Sequence, residues 1–313
     1  MAGLSVRTAT GLPLVEEVSF ALPRGRTLAL VGESGCGKSL TLLAALGLLP
    51  RGLAAGGSVR FEGAETLHAP ATLAPLRGGR IAVIFQDPVA SLNPVLTVGT
   101  TLGRVLARHR GLRGRAAREA AAALLARVGI AAPERRLADY PHQLSGGTAQ
   151  QVAIAAALAG RPALLLADEP TTALDVTTQA AILALLERLR AEEGLALLLV
   201  THDLGVVARL ADEVAVMYAG RVVEHAPAAA LLRGPAHPYA AGLLRAVPSL
   251  DPVAAPLVPL PGTVPPPATR PPGCAFAPRC DRAEPCCTAP GAPPWRLEGD
   301  RGVACLHPHR IAA

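Results

Sequence analysis

The chain has a single lysine, Lys38, among its 30 basic residues. A lysine ammonium is a compact, flexible point charge, and the planar guanidinium of arginine does not reproduce it. Lys38 lies in GESGCGKS, residues 32–39, which fits the phosphate-binding pattern of glycine, four residues, glycine, lysine and then serine or threonine. Lys38 is therefore the first candidate for chemistry.

Glycines in such a loop let backbone N–H groups close around phosphate oxygens, and the following helix directs its positive end at them. The pattern predicts that Lys38 reaches the terminal phosphates and that Ser39 holds magnesium. Cys36 is interpreted as an inert filler of the loop rather than a redox switch. The expected nucleotide contacts are Gly32, Glu33, Ser34, Gly35, Cys36, Gly37, Lys38, Ser39 and Leu40.

Two acids, Asp168 and Glu169, follow the apolar run ALLLA. The carboxyl end of a buried strand would place them beside the phosphate loop. Asp168 suits magnesium coordination through water, and Glu169 suits orienting or deprotonating an attacking water. An apolar strand followed by two acids is a weak signal alone, and the phosphate loop ahead of it makes it strong.

A second donor-rich helix start comes from Ser145, Gly146 and Gly147, which open a long apolar helix. One nucleotide does not need two phosphate cradles in one chain. The second cradle is therefore predicted to serve a partner subunit.

Composition and charge set the broad class. Half of the 313 residues are hydrophobic, which excludes a disordered chain. The first twenty residues lack a secretory signal, so a soluble cytosolic protein is expected. The net charge of +6 is mild, and the arginines from 104 to 118 have no interleaved aromatics, which argues against nucleic-acid binding.

The order of the elements predicts an α/β fold. Apolar strand-like runs such as TLALV, RIAVIFQ, ALLLA and LALLLVT alternate with helical stretches, which indicates a mostly parallel sheet. A helical, alanine- and arginine-rich middle is expected as an inserted subdomain. Fifteen prolines between 248 and 294 mark a different segment, which needs a staple or an interface because it lacks long apolar runs.

The ordered motifs GESGCGKS, FQDP, LSGG, LLLADEP, TALD and VTHD resemble the ATPase cassette of ABC transporters. The resemblance covers residues 3–246 and implies a P-loop NTPase fold in which an antiparallel β region joins the mostly parallel sheet. The domains that follow are a cassette over 1–246, with its helical subdomain at about 90–162, and an extension over 247–313.

In that family, two cassettes clamp two ATP molecules head to tail, each phosphate loop facing the other's signature motif. The resemblance implies that Gln86 senses magnesium and the transmembrane partner, that His202 contacts the terminal phosphate, and that Asp175 communicates across the dimer. There are two departures: the signature continues TAQQ, and no aromatic residue stands between 1 and 19 to stack adenine.

The strings FQDPVASLNPVLTVG and HPYAAGLL resemble importers of di- and oligopeptides, nickel and opine-like solutes. Such a subunit would dock on two permease chains at the cytoplasmic face of the inner membrane. A second ATPase, either a related distinct chain or a second copy, and an extracytoplasmic solute-binding protein would complete the assembly. The alternatives are an exporter ATPase and a soluble ABC ATPase acting on nucleic acid. The sequence does not identify the solute.

Five of the six cysteines lie in the last forty residues. In a reducing cytosol a metal or reactive site is expected rather than a disulfide framework. The tail resembles the C-terminal extension of the same importers, some of which hold a 4Fe-4S cluster, and this implies Cys274, Cys280, Cys287 and Cys305 as ligands. Zinc, with His307 as an alternative ligand, and unligated thiols remain open, and Cys286 competes with Cys287.

Overall fold

The computed structural model describes residues 1–172, 174–246 and 259–309. The chain divides into two compact units. The first unit comprises residues 1–21, 27–70 and 200–313, and the second comprises 22–26 and 71–199. The phosphate loop and the cysteine-rich extension therefore belong to the same unit.

The strands, in chain order, are β1 Ala2–Thr8, β2 Pro13–Val18, β3 Thr27–Val31, β4 Leu53–Ser58, β5 Arg60–Phe61, β6 Ala64–Glu65, β7 Ile81–Ile84, β8 Leu164–Asp168, β9 Ala196–Thr201, β10 Glu213–Tyr218, β11 Arg221–Pro227, β12 Arg296–Glu298 and β13 Arg301–Val303.

The helices are α1 Lys38–Ala45, α2 Pro70–Leu76, α3 Pro88–Ser91, α4 Val98–Arg110, α5 Gly114–Arg127, α6 Pro133–Arg136, α7 Gly146–Leu158, α8 Val176–Glu193, α9 Leu204–Leu210, α10 Ala228–Arg233, α11 Pro238–Arg245 and α12 Pro285–Thr288. Short 3-10 turns cover Pro141–Gln143, Pro267–Thr269 and Ala277–Arg279.

In the first unit, β12, β13, β11, β10 and β3 lie side by side in that order. β10 pairs with β3 in parallel, whereas its pairing with β11, and those of β13 with β11 and β12, are antiparallel. All five residues of β3 are buried, as expected for a strand inside a sheet covered on both faces. A separate antiparallel sheet has the order β2, β1, β4.

The core of the first unit extends into the proline-rich extension. Tyr218 at the end of β10 and Tyr239 in α11 are fully buried, and Phe276 of the extension is 3% exposed. Phe276 lies 5.2 Å from the Tyr218 ring and 5.4 Å from the Tyr239 ring, centre to centre. The extension thus packs one aromatic residue into the core that β10 and α11 provide.

In the second unit, β9, β8 and β7 are neighbours in that order, and β7 pairs with β8 in parallel. The last two residues of β9 belong to the first unit. Helices α4, α5 and α7 pack together here. Helix α4 starts at the Thr97 cap, which accepts the Thr100 N–H, and ends at Gly111 in the left-handed region.

The predicted α/β class is confirmed, and the sheet is mixed rather than purely parallel. The expected helical middle contains α4, α5, α6 and α7. The run SVRFEG, residues 58–63, is divided between two strands, because β4 ends at Ser58 and β5 covers only Arg60–Phe61.

The compact units follow a division different from the change in composition near residue 246. Residues 259–309 belong to the first unit together with the phosphate loop. The junction between the two predicted domains borders on residues 247–258, which lie outside the described residues. Among the helices that the structure describes, none has the length and apolar character to cross a membrane.

Candidate functional site

The loop from Gly32 to Ser39 connects β3 to α1 and has a backbone that requires glycine. Gly32, Gly35 and Gly37 have φ values of 155°, 78° and 108°, a region that side chains rarely adopt. A Cβ atom on Gly32 would lie 2.2 Å from the Met217 carbonyl oxygen. The loop is therefore held tightly against the end of β10.

Lys38, the first residue of α1, is 6% exposed. Its Nζ donates to the carbonyl oxygen of Gly32 at 2.7 Å and to that of Glu33 at 3.0 Å. The ammonium thus lies over the loop, where a terminal phosphate would replace neutral carbonyl partners with a charged one. Ser39 follows on the exposed side of the first helical turn.

Cys36 is fully buried within the loop, and its Sγ lies 3.8 Å from the Lys38 Nζ. Burial raises the pKa of the Cys36 thiol, against the opposing effect of Lys38. Since the thiolate is the nucleophile, this thiol is unreactive near neutral pH. Its environment matches the interpretation of Cys36 as a filler.

In the second unit, the predicted general base, Glu169, lies next to Gln86, the residue expected to sense magnesium. Asp168 ends β8, and Glu169 follows with φ of 47° in the left-handed region. The Gln86 Nε2 donates to the Glu169 Oε2 at 3.2 Å, and the Thr172 hydroxyl donates to the same oxygen at 2.9 Å. Thr172 was not among the predicted site residues, although it is the first letter of the TALD motif.

The signature motif forms the capped start of α7, also in the second unit. The Ser145 hydroxyl accepts the Thr148 N–H at 3.3 Å, and both Ser145 and Gly146 are exposed. Gln150 is 1% exposed, and its Nε2 donates to the Pro170 carbonyl oxygen at 2.7 Å. This buried bond ties the signature helix to the segment that carries Glu169, and only the position of Gln150 in the motif could have indicated it.

The unusual TAQQ continuation has structural partners. Thr148 pairs with the Ser145 hydroxyl at 2.9 Å, Ala149 is fully buried, and the Gln151 Nε2 donates to the Val128 carbonyl oxygen at 2.9 Å. Two of these side chains therefore stabilise the helix start and its neighbour, and the third fills the core.

Asp175 and His202 each adjoin a helix start. Asp175 caps α8 by accepting the Thr178 N–H at 2.9 Å and its hydroxyl at 2.7 Å, and these hydrogen bonds lower the pKa of the Asp175 carboxyl. His202 follows β9, is exposed, and belongs to the first unit, as the phosphate loop does. The next residue, Asp203, caps α9 through the Gly205 N–H at 2.7 Å.

The extension brings four cysteines to one cavity of about 20 Å³ in the first unit. Its lining includes Cys274, Cys280, Cys287 and Cys305. Burial raises the pKa of the Cys274, Cys280 and Cys305 thiols, that of Cys305 to about 11, and the nearby Cys287 thiol contributes to the rise at all three. Cys286 is exposed and does not line the cavity.

The same cavity is lined by His237, which is 1% exposed. The His237 Nδ1 accepts the Tyr239 backbone N–H at 3.0 Å, and burial lowers the pKa of the His237 ring to about 3. The ring is therefore neutral and carries its proton on Nε2. Within the part of the chain that the structure describes, this buried Nε2 has no hydrogen-bond partner.

A second cluster of metal-ligand side chains shares Cys287. Among the described residues, the one group of three whose ligand atoms all lie within 4.8 Å of one another is Cys286, Cys287 and His307. The Cys286 Sγ lies 3.1 Å from the His307 Nε2, which also lies 3.4 Å from a carboxylate oxygen of Glu284.

Comparisons with known proteins agree with these features. The model of the ABC transporter family matches residues 15–172. The model described as "Oligopeptide/dipeptide transporter, C-terminal region" matches residues 223–287. The second match contains His237 and three of the four cysteines that line the small cavity.

Among curated proteins, the dipeptide transport ATP-binding protein DppD of Bacillus subtilis is 48% identical over 80% of this chain and 75% of its own length. The oligopeptide transport ATP-binding protein OppD of Salmonella typhimurium is 48% identical over 79% of this chain and 74% of its own.

A solved dimeric structure of the ATP-binding cassette MJ0796, in a post-hydrolysis state bound to ADP and Pi, superimposes with a TM-score of 0.62. It is 30% identical and covers 72% of this chain and 98% of that chain. With the phosphate loop, the acid pair and the signature helix in place, this chain belongs to the ABC transporter ATPase family and carries the C-terminal region of its oligopeptide/dipeptide branch.

Proposed function

We propose that this chain is the ATP-hydrolysing subunit of an importer for peptides or related small solutes. The observation that carries the proposal is the loop at residues 32–39, in which a buried lysine spans two backbone carbonyls at a glycine-dependent turn. The 48% identity to dipeptide and oligopeptide transport ATP-binding proteins supports the cargo class.

The residues of the loop fit a nucleotide with magnesium. A side chain at Gly32 would collide with the Met217 carbonyl oxygen, so glycine is needed there for the loop to pack against the end of β10. The backbone N–H groups of such a loop would bind phosphate oxygens. Ser39 and Asp168 would hold the magnesium ion, which neutralises charge on the phosphates when bound. Lys38 would bind the terminal phosphates.

Glu169 would orient the attacking water and accept its proton. The hydrogen bonds from Gln86 and Thr172 to one carboxylate oxygen would hold the Glu169 side chain in place for that role. His202 would contact the terminal phosphate, with the role of an orienting group.

The test is Glu169→Gln in the full chain, with Glu134→Gln, an exposed position in α6, as the matched control. The variant should bind ATP as tightly as the parent while hydrolysis falls by a factor of about 100 or more, since general-base catalysis contributes about 10²–10⁴-fold. Hydrolysis that stays at the level of the control would refute the role of Glu169.

The assembly needs partners. The exposed Ser145 and Gly146 at the start of α7 suit contact with the nucleotide of a second ATPase subunit, a related chain or another copy. Asp175 would communicate across that dimer. Two permeases would hold the pair at the cytoplasmic face of the inner membrane, and an extracytoplasmic binding protein would deliver the solute. Isolation of this chain with nucleic acid instead of permeases would contradict this assignment.

We propose that the four thiols of the small cavity are the ligands of a 4Fe-4S cluster, which takes four thiolates. Around a single zinc ion, with Zn–S near 2.3 Å, the sulfurs would lie about 3.8 Å apart. Among the described residues the tight group is instead Cys286, Cys287 and His307. The wider set, with the unpaired Nε2–H of His237 at the same cavity, suits a cluster whose sulfurs accept hydrogen bonds. Such a cluster would cross-link the extension.

Adjacent cysteines give a matched experiment. After anaerobic purification, Cys287→Ala should lose iron and visible absorbance, whereas Cys286→Ala should keep both, because only Cys287 lines the four-thiol cavity. Colourless parent protein with one zinc ion per chain, lost in both variants, would assign the metal to the group of Cys286, Cys287 and His307 instead.

A further inference from the structure

The second residue of the phosphate loop, Glu33, is bound by the C-terminal extension. Both oxygens of its carboxylate accept from the guanidinium of Arg279, at 2.6 Å from Nη1 and 2.9 Å from Nη2. This is the parallel two-bond geometry in which an arginine binds a carboxylate most strongly and most directionally. The two residues are 246 positions apart in the sequence.

Contacts other than those with Glu33 also hold the Arg279 side chain in place. Its side chain is 5% exposed, and its Nε donates to the Pro261 carbonyl oxygen at 2.6 Å. The guanidinium carbon lies 5.7 Å from the centre of the Tyr218 ring and 5.8 Å from that of Phe276. The arginine therefore gives up little conformational freedom in binding Glu33, and Glu33 neutralises its buried charge.

A second contact holds the backbone of the same residue. The Glu33 N–H donates to the hydroxyl of Tyr239 at 2.8 Å, and Tyr239 is fully buried in α11. Hence both the side chain and the peptide of Glu33 are held by residues that follow β11 in the chain. The Glu33 carbonyl oxygen, in turn, accepts from the Nζ of Lys38 at 3.0 Å.

We propose that Arg279 is a positioning residue for ATP binding, acting through Glu33 on the shape of the phosphate loop and on the place of Lys38. This inference rests on the proposed function, in which the loop at 32–39 binds ATP. Arg279 has no contact with the nucleotide in this role. Its effect is on the binding of ATP, because Glu33 lies in the loop that would hold the phosphates and has no proposed part in the hydrolysis step.

The experiment compares Arg279→Met with Arg296→Met in the full chain, the latter an exposed arginine in β12 of the same extension. The Kd for Mg-ATP and the KM and kcat of hydrolysis are measured. Arg279→Met should raise the Kd and KM by about 10-fold, because the loop loses both charge-assisted hydrogen bonds to Glu33, with kcat changed less. Arg296→Met should match the parent.

Glu33→Gln tests the same interaction if Arg279→Met fails to fold, because the Glu33 side chain is 29% exposed and lies at the edge of the loop. Glu33→Gln should raise the Kd for Mg-ATP by a similar factor. The double variant with Arg279→Met should bind Mg-ATP no less tightly than the single variant that binds less tightly, because both substitutions remove the same interaction. Arg279→Lys should restore part of the affinity by keeping the charge without the two-bond geometry.

Lys38→Ala separates the two proposals. If it abolishes ATP binding while Arg279→Met and Glu33→Gln leave Kd and KM unchanged, the positioning role is wrong and the nucleotide site stands. If Lys38→Ala binds ATP as the parent does, the nucleotide assignment itself is wrong. Independent, additive effects of the two single variants would also overturn the inference.

Discussion

Removal of the Phe276 side chain should loosen the packing of the extension against β10 and α11 of the first unit. Phe276 is 3% exposed and packs against the rings of both Tyr218 and Tyr239. Truncating a buried phenylalanine to alanine costs about 3–5 kcal/mol, through reduced burial and the cavity left behind. Since about 1.4 kcal/mol corresponds to a factor of ten, the fraction of molecules with an open extension should rise at least about 100-fold.

Native-state proteolysis of the full chain, followed by mass spectrometry, measures this opening. At low protease concentration the cleavage rate within residues 259–309 follows the population of the open form. Phe276→Ala should be cleaved at least about 100-fold faster there than the parent. The helices of the second unit should keep their parent cleavage rate.

Leu297→Ala is the matched control. Leu297 lies in the same extension but is 76% exposed, so its truncation should change stability by about 0.5 kcal/mol or less and cleavage by about twofold. Equal cleavage rates in the two variants would refute the conclusion that the burial of Phe276 helps to hold the extension in place.

Two further predictions concern glycine and cysteine positions. Gly160→Ala should destabilise the second unit by about 1–3 kcal/mol or more, because the new Cβ would lie 2.0 Å from the Gly78 carbonyl oxygen. In the control Gly103→Ala, in α4, the new Cβ meets no atom within 4 Å, so this variant should be about 0.5–1 kcal/mol more stable than the parent. Urea unfolding measures the free energy of unfolding of both variants. Iodoacetamide should modify the exposed Cys286 but not the buried Cys36 in the folded chain. Because burial raises the pKa of the Cys36 thiol, Cys36 should be labelled faster at higher pH and after unfolding. Equal labelling of the two cysteines in the folded chain, measured by mass spectrometry, would contradict this.

The local glycine pattern predicted the backbone conformation of the phosphate loop. The loop at 32–39 is defined within eight residues, and its glycines have the positive φ values that the pattern requires. Gln86 and Glu169 were each identified from a motif, but their hydrogen bond at 3.2 Å is a finding of the structure that the sequence did not specify. Helix α8, Val176–Glu193, likewise has local signals in the sequence at both ends, a capping aspartate before it and a glycine after it.

Contacts between distant residues could not be predicted in this way. The choice between Cys286 and Cys287 depends on which side of the four-residue helix α12 faces the cavity, and neighbouring cysteines give no periodicity to decide it. The extension has no apolar run that would indicate how it packs. Its burial depends on single side chains, such as Phe276, whose partners lie in β10 and α11.

The position of Arg279 explains why the extension and the phosphate loop belong to one compact unit. The short turn at Ala277–Arg279 lies between Cys274 and Cys280, so the segment that lines the cysteine cavity also presents the guanidinium to Glu33. The Tyr239 hydroxyl binds the same loop residue, and His237, two positions earlier, lines the cysteine cavity. Residues of the extension and of α11 therefore contact both the predicted metal site and the predicted nucleotide site. The change in composition near residue 246 separates two kinds of sequence, but it does not separate two independent functions.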